Sequence, residues 1–225
     1  MPGVIYRVLH LLISPLLKAI WRPRVSGADR VPRKGGVIFA SNHLSFADSV
    51  VIPTCSPRPV HFLAKKDYFT QPGLKGFLMR LWFEGLGMLP VDREDTQAAL
   101  GTLEVALKVL GEGEAFGIYP EGTRSRDGLL YRGRTGVAHL ALTACVPVVP
   151  VGLRRTNELQ PIDSRIPRLV RVEVAFGEPI QVAGRFEGMP LGKARRLLTD
   201  EIMTAIQELS GQEEAGIYND RAADA

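Results

Sequence analysis

The sequence contains few of the residues and patterns on which several common classes of site depend. Its 225 residues include only two cysteines, Cys55 and Cys145, which lie far apart and outside any Cys-x-x-Cys pattern. This spacing indicates neither a disulfide framework nor a zinc site, and it is typical of a protein from a reducing cytosol. The chain also lacks the Gly-x-Ser-x-Gly of serine hydrolases, and residues 188–193 have neither the spacing nor the hydroxyl residue of a P-loop.

The N-terminal apolar segment lacks the continuity of a membrane-spanning helix. Such a helix needs about 20 predominantly apolar residues, whereas Arg7, His10 and Lys18 interrupt this segment and Pro15 lies inside it. No small-x-small cleavage site precedes the basic residues at its end, so a signal peptide is not indicated. As a helix, the segment has a broad apolar face and one narrow polar stripe, which is typical of helices at membrane interfaces. We expect residues 1–24 to form an amphipathic, membrane-associating helix, or alternatively a helix that packs on the domain core.

Internal repeats and long linkers are also missing, which favours one domain over residues 25–210, followed by a mobile tail over residues 211–225. The composition is 45% hydrophobic and 23% charged, which is typical of a folded globular protein. The formal net charge of +4 favours anionic partners. Phospholipid headgroups, phosphorylated small molecules and nucleic acid all meet that condition, so charge alone does not choose among them.

Segments typical of strands and of helices alternate along the chain. The predicted strands are rich in β-branched or large apolar residues and cover residues 36–40, 60–64, 86–91, 115–119, 148–153 and 169–176. Predicted helices follow shortly after Asn42 and cover residues 96–110, 137–144 and 194–209, with Asp95 as an N-cap and Gly111 and Gly211 as stops. This alternation predicts an α/β fold: a single-domain sandwich with a mostly parallel central sheet flanked by helices, preceded by the amphipathic N-terminal helix.

A histidine and an aspartate five positions apart, His43 and Asp48, follow the first predicted strand. A neutral imidazole can take a proton from a hydroxyl group, and a carboxylate on its other nitrogen stabilises the imidazolium that forms. Residues five apart on a helix point about 140° apart, so contact requires His43 before the helix and Asp48 in its first turn. Residues 45–48 also match a capping box, in which case His43 is a loop residue. The residues alone leave both interpretations open.

Cations and hydroxyl groups follow three of the predicted strands. Residues 119–128 leave a strand as a polar turn in which Arg124 offers a planar donor fork for phosphate and Thr123 a hydroxyl group. Lys65 and Arg93 follow two other predicted strands. Because the carboxyl ends of parallel strands meet at one edge of a sheet, this pattern predicts a phosphate pocket there. The alternative for each cation is a solvated side chain on a surface turn.

Four segments in this order resemble blocks of the glycerolipid acyltransferase superfamily, which contains the 1-acylglycerol-3-phosphate acyltransferases. Residues 42–48 resemble its catalytic His-x-x-x-x-Asp block, and residues 87–93 resemble the second block, with Pro90 where an aromatic residue is common. Residues 119–125, Tyr-Pro-Glu-Gly-Thr-Arg-Ser, are similar to the third and most specific block, and residues 146–151 to the fourth.

The resemblance is close over about residues 36–153, and it implies both a function and a set of site residues. The implied reaction transfers a fatty acyl group from acyl-CoA or acyl carrier protein to the free hydroxyl of 1-acylglycerol 3-phosphate, making phosphatidic acid for phospholipid biosynthesis. The implied catalytic pair is His43 and Asp48. The implied phosphate-binding residues are Lys65, Arg93, Glu121, Gly122, Thr123 and Arg124. The implied acyl-donor region contains Val146, Pro147 and Pro150.

Other partners follow from the same resemblance. Because a thioester is already activated, no protein nucleophile, metal or redox cofactor is expected, and the acyl thioester serves as co-substrate. Lysophosphatidic acid and a membrane surface are the expected partners, without nucleic acid, at the cytoplasmic face of the cell membrane as a peripheral or monotopic protein. Fewer residues precede the His block than in relatives with a two-helix membrane motif. The alternatives are another acceptor, such as glycerol 3-phosphate, another lysophospholipid or a glycolipid, and a non-catalytic module that binds anionic membrane.

Overall fold

A computed structural model describes residues 4–91, 96–164 and 166–219, in which strands and helices alternate. The strands are β1 (Arg24–Ser26), β2 (Val37–Ser41), β3 (Val60–Lys65), β4 (Met88–Val91), β5 (Ala115–Ile118), β6 (Val148–Arg154) and β7 (Glu173–Phe176). The helices are α1 (Val4–Trp21), α2 (Asp48–Cys55), α3 (Asp67–Thr70), α4 (Gly73–Gly85), α5 (Thr96–Gly111), α6 (Gly136–Ala144), α7 (Thr156–Leu159) and α8 (Leu191–Ser210).

The strands form one seven-stranded sheet in the order β1-β7-β6-β2-β5-β3-β4. Every neighbouring pair is parallel except β6 and β7. The mostly parallel α/β fold predicted from the sequence is therefore confirmed. The carboxyl ends of β2 to β6 meet at one edge of the sheet, at residues 41, 65, 91, 118 and 154, and this edge is called the carboxyl edge below.

The central strand β2 shows why this sequence folds as a two-sided sheet. All five of its residues are buried, as expected for a parallel strand covered on both faces. Ile38 and Ala40 pack with apolar residues of α5, α6 and α8 on one face of the sheet. Val37 and Phe39 pack with α2 and with the segments around β7 on the other face. The residues that follow β2 are therefore held rigidly at the carboxyl edge.

Some elements differ from the sequence predictions. β1 has three residues and α4 carries a partly exposed apolar stripe, and neither is among the predicted elements. The strand predicted over residues 169–176 begins only at Glu173, because its partner β6 ends at Arg154, which pairs with Glu173. Gly211 follows α8 in the left-handed conformation, as expected of the predicted stop. Gly111 is the last residue of α5, and Gly113, two residues later, takes the left-handed conformation. Asp95 lies outside the described residues.

Helix α1 packs on the domain through one face and exposes apolar side chains on another. Tyr6 is buried, and its hydroxyl accepts the backbone N–H of Val60 at 3.0 Å and donates to the Val60 carbonyl at 3.2 Å. Leu12, Leu16 and Ile20 repeat every four residues and are all exposed. The helix therefore packs on the core, as one of the two sequence interpretations requires, and leaves an apolar face uncovered. Within the described residues, no helix combines the length and the hydropathy needed to cross a bilayer.

The described part of the predicted mobile tail, residues 211–219, lies against the domain. Its backbone pairs with the chain at Leu130 and Arg132 through bonds of 2.8 to 2.9 Å. The side chains of Gln212 and Asn219 bond to residues at the carboxyl edge.

Candidate active site

The loop after β2 folds around the carboxylate of Asp48, the first residue of α2. Its Oδ2 atom accepts hydrogen bonds from the backbone N–H groups of Leu44 at 2.7 Å and Ser45 at 2.8 Å. The bond from the Ser45 N–H to Asp48 is one half of a capping box. The other half is missing, because the Ser45 hydroxyl accepts the N–H of Ala47 and not that of Asp48. The capping interpretation is therefore partly correct, and the cap and the histidine contact share one oxygen.

His43 lies before α2 and contacts Asp48 as the five-residue spacing requires. Its Nδ1 atom lies 2.9 Å from Asp48 Oδ2, with Asp48 completely buried and the imidazole 16% exposed. Because Asp48 Oδ2 already accepts two backbone N–H groups, we assign the ring N–H to Nδ1, which then donates a hydrogen bond to the same oxygen. Nε2 is then the ring nitrogen that can accept a proton from a substrate. The predicted geometry of the pair is confirmed.

Tyr119, directly after β5, fixes the plane of the imidazole. The two rings stack with centroids 3.7 Å apart and planes 6° apart. The Tyr119 hydroxyl shares a 2.8 Å hydrogen bond with Ser49 of α2. Burial, and then the charge of Asp48, raises the pKa of this phenol well above its usual range, so it stays neutral. Tyr119 belongs to the third block of the resemblance but was not among the expected site residues, because stacking has no sequence signal.

Glu121, which was expected to bind phosphate, accepts hydrogen bonds from the backbone of the histidine loop. Its side chain is 1% exposed, and its oxygens accept the backbone N–H groups of His43 and Tyr131, both at 3.0 Å. Burial raises the pKa of Glu121 to about 7, against the lowering effect of these two bonds. These two bonds tie the Glu121 carboxyl group to the backbone of His43 and Tyr131. Contact between Glu121 and a phosphate stays a prediction.

The rest of the phosphate loop, residues 121–125, reaches the surface beside His43. The Ser125 N–H donates to the His43 carbonyl at 2.8 Å, which joins this loop directly to the histidine loop. Gly122 is exposed with a φ of +83°, and Thr123 and Arg124 are half-buried. The positive φ and the nearby side chain of Arg134, 3.2 Å from an added Cβ, favour glycine at position 122. These residues lie at the predicted edge, with Gly122 exposed and Thr123 and Arg124 partly exposed.

Of the other two cations expected to bind phosphate, the structure describes Lys65 but not Arg93. Lys65 is the last residue of β3, partly exposed, and pairs in register with Val91 of β4. It therefore lies at the carboxyl edge. Arg93 lies outside the described residues, two positions beyond the end of β4.

The residues expected to form the acyl-donor region are not brought to His43. Val148 pairs with Ile38, so Val146 and Pro147 lie at the opposite edge of the sheet, where Val146 packs in the core. Pro150 is buried inside β6 beside Ala40, and its carbonyl accepts the N–H of Gly177 at 2.8 Å. A buried strand with prolines explains this segment, and its contacts are those of the core.

Asn42 begins the block that contains His43 and Asp48, but it was not among the expected site residues. It is completely buried, and its side-chain amide exchanges two hydrogen bonds with the backbone of Leu153, at 2.8 and 2.9 Å. These bonds tie the end of β2 to the end of β6 immediately before His43. The position of Asn42 next to His43 was the only sequence signal of this role, because its partner Leu153 is 111 residues away in the chain.

The chain is similar to known proteins over most of its length. Residues 22–154, more than half of the chain, match the model of the family described as Acyltransferase. The 1-acyl-sn-glycerol-3-phosphate acyltransferase of Bacillus subtilis (strain 168) is 27% identical over 191 residues, which cover 84% of this chain and 88% of that protein. The protein of that name from Borreliella burgdorferi is 31% identical over 133 residues, 59% of this chain and 51% of that one.

A solved structure shares the fold. The crystal structure of the 1-acyl-sn-glycerophosphate acyltransferase PlsC from Thermotoga maritima covers 91% of this chain and 79% of its own, with a TM-score of 0.67 and 21% sequence identity. The family match includes His43, Asp48 and the phosphate loop. This chain belongs to the acyltransferase family.

Proposed function

We propose that this enzyme transfers a fatty acyl group from an acyl thioester to the free hydroxyl of 1-acylglycerol 3-phosphate, making phosphatidic acid. The observation that carries the proposal is the pair of His43 and a completely buried Asp48, joined at 2.9 Å beside a loop of phosphate-binding character. The names of the Bacillus and Borreliella relatives support this acceptor.

The site supports direct transfer without a covalent acyl-enzyme. His43 Nε2 removes the proton of the acceptor hydroxyl as its oxygen attacks the thioester carbonyl, and Asp48 stabilises the imidazolium that forms. Collapse of the tetrahedral intermediate breaks the carbon–sulfur bond, and the thiolate takes the proton from His43. Burial raises the pKa of the Cys55 thiol to about 12, which makes it a poor nucleophile.

Positioning of the acceptor is assigned to the exposed side of the phosphate loop. Arg124 offers paired N–H donors to a phosphate, Thr123 a hydroxyl group and Gly122 an accessible backbone. A phosphate held there places the glycerol hydroxyl near His43, because Ser125 bonds directly to the His43 carbonyl. Orientation of this kind accounts for a large part of the rate of many enzymes.

The direct test uses purified protein, lysophosphatidic acid and either acyl-CoA or acylated carrier protein. Release of free thiol together with phosphatidic acid, identified by mass spectrometry, is the expected result. Parallel reactions with glycerol 3-phosphate, lysophosphatidylcholine and lysophosphatidylethanolamine distinguish the acceptor. Faster reaction with any of these than with lysophosphatidic acid would contradict the proposed substrate. If no acceptor, lysophosphatidic acid included, causes thiol release, the proposal of acyl transfer is contradicted.

Arg124→Ala is expected to raise the KM for lysophosphatidic acid by about 10- to 100-fold, because a charge-assisted contact to phosphate is lost. The KM for the acyl donor should stay within about twofold, since the phosphate loop serves the acceptor. Arg185→Ala is the matched control, because that arginine pairs with Glu201 on the surface. An equal rise in both KM values would show that Arg124 does not select the acceptor.

The exposed apolar residues of α1 and α4 support action at a membrane surface. The two helices pack side by side. On α4 the exposed fractions of Leu74 and Phe77 are 75% and 61%, and Leu78 and Trp82 continue the same side of the helix. Lys18 and Lys75 are exposed on these helices and complement anionic headgroups. An uncovered apolar surface with cations suits the interface of a bilayer, where the acceptor lipid resides.

Leu12→Glu and Phe77→Glu are each expected to weaken binding to phospholipid vesicles by about 10-fold, because each replaces an apolar side chain that would enter the bilayer with a charged one. Cosedimentation with vesicles of phosphatidylcholine, with and without phosphatidylglycerol, measures the change. Leu169→Glu is the control, since Leu169 is 83% exposed but precedes β7, outside both helices. If Leu169→Glu weakens binding as much as the other two, the apolar face of α1 and α4 is not the membrane surface.

A further inference from the structure

Residues 212–219, called the C-terminal strap below, pair with the chain that follows the phosphate loop. The Leu130 N–H donates to the Glu213 carbonyl at 2.8 Å, and the Ala215 N–H returns a bond to the Leu130 carbonyl at 2.9 Å. The Arg132 N–H donates to the Ile217 carbonyl, also at 2.9 Å. These bonds set the strap in a defined register beside residues 130–132.

Gln212 joins the two loops of the active site. Its Oε1 atom accepts a hydrogen bond from the side chain of Asn42 at 2.7 Å, and its Nε2 atom donates to the Gly128 carbonyl at 2.7 Å. Asn42 directly precedes His43, and Gly128 closes the turn that begins with the phosphate loop. The strap therefore links the segment of the base to the segment that carries Arg124.

The far end of the strap contacts the phosphate loop a second time. Asn219 is 4% exposed, and its side-chain amide donates to the Arg124 carbonyl at 3.3 Å. The Tyr218 ring lies 5.1 Å from the guanidinium carbon of Arg132 and 5.7 Å from that of Arg134, whose side chain lies beside Gly122. The strap thus holds both the backbone and the flanking cations of the phosphate loop.

Apolar burial does not explain this segment. Ile217 is 65% exposed, whereas the polar side chain of Asn219 is almost completely buried. A segment that only covered the core would show the reverse pattern. The contacts of the strap are directional hydrogen bonds to backbone atoms of the two active-site loops, which fix relative position more than they bury surface.

We propose that the C-terminal strap is a positioning element of the active site, in which Gln212 and Asn219 hold the phosphate loop at the distance from His43 that the acceptor requires. The proposal rests on the proposed function, because it takes Arg124 as a ligand of the acceptor phosphate. A displaced phosphate loop misplaces the acceptor hydroxyl, and such errors lower the rate steeply. The strap acts through these loops and touches no reacting atom.

Two substitutions of Gln212 separate its contacts. Gln212→Ala removes both side-chain bonds. Gln212→Glu keeps an acceptor for Asn42 but sets a carboxylate oxygen against the Gly128 carbonyl, so only the link to the phosphate loop is broken. Both variants are expected to lower kcat/KM for lysophosphatidic acid by about 10-fold, with the KM for the acyl thioester unchanged within about twofold. Ile217→Ala, which keeps the backbone bond to Arg132, is expected to match the wild type.

The outcomes discriminate positioning from stability. Parallel loss of acceptor and donor kinetics, or loss of Tm alone, would identify a general structural role and overturn the proposal. Wild-type kinetics in both Gln212 variants would also overturn it. Hydrogen exchange at residues 122–128 tests the strap independently of the substrate: faster exchange in Gln212→Ala than in Ile217→Ala supports it, and equal exchange overturns it. A wild-type enzyme that does not acylate lysophosphatidic acid would instead overturn the proposed function.

Discussion

His43→Ala is expected to lower the rate of thiol release by about 10³-fold, the middle of the range for loss of a general base. The variant should still fold, because the backbone of His43 keeps its bonds to Glu121 and Ser125 whatever its side chain. Release of thiol, followed continuously with a chromogenic disulfide, measures the effect under saturating donor and acceptor.

Two controls accompany this variant. His139→Ala removes a partly buried histidine of α6 and should leave the rate unchanged. Vesicle binding by His43→Ala should equal that of the wild type, because the apolar face of α1 and α4 is intact. A His43→Ala variant that releases thiol at the wild-type rate would remove the assigned base.

Asp48→Asn is expected to lower kcat by about 10²- to 10⁴-fold through loss of charge, with the geometry largely kept. An amide oxygen in the place of Oδ2 can still accept from His43, Leu44 and Ser45. The amide nitrogen then takes the place of Oδ1, which is buried without a hydrogen-bond partner in the described part of the chain. The variant therefore keeps the imidazole oriented but leaves the imidazolium without its counter-charge.

The measurement is kcat together with the melting temperature. Asp67→Asn, which neutralises the exposed aspartate in the first turn of α3, is the control and should retain full activity. The buried, unbonded amide should also lower the Tm of Asp48→Asn by several degrees. A variant with normal kcat would mean that the carboxylate only caps α2 and that its charge does not assist the base.

Local pattern was enough to predict the elements of this fold whose packing is strong. β2, β3, β5 and β6 are apolar runs covered on both faces, so composition alone located them. β1 was missed because three exposed residues carry no pattern and are ordered only by their partner β7. The exposed leucines of α4 were missed because their surroundings, and not their spacing, make them unusual.

The same division separates the parts of the active site. The contact between His43 and Asp48 is local, so five-residue spacing and helix geometry predicted it. The burial of Glu121, which brings its carboxyl group against backbone N–H groups, depends on the whole fold and has no local sequence signal. The bond between Asn42 and Gln212 spans 170 residues, and no sequence pattern signals it. Resemblance located the chemistry, while tertiary contacts decided what each side chain does.

The anchoring of Tyr6 limits how this protein can be shortened. Its ring fills the space above Gly87, where an added Cβ would lie 2.7 Å from it, and its hydroxyl satisfies both backbone groups of Val60. Deleting the first helix would open a void beside β3 and leave the N–H and carbonyl groups of Val60 without the Tyr6 hydroxyl. Substitutions of the exposed residues Leu12 or Phe77 would reduce the apolar surface and keep the contacts of Tyr6 with Val60 and Gly87.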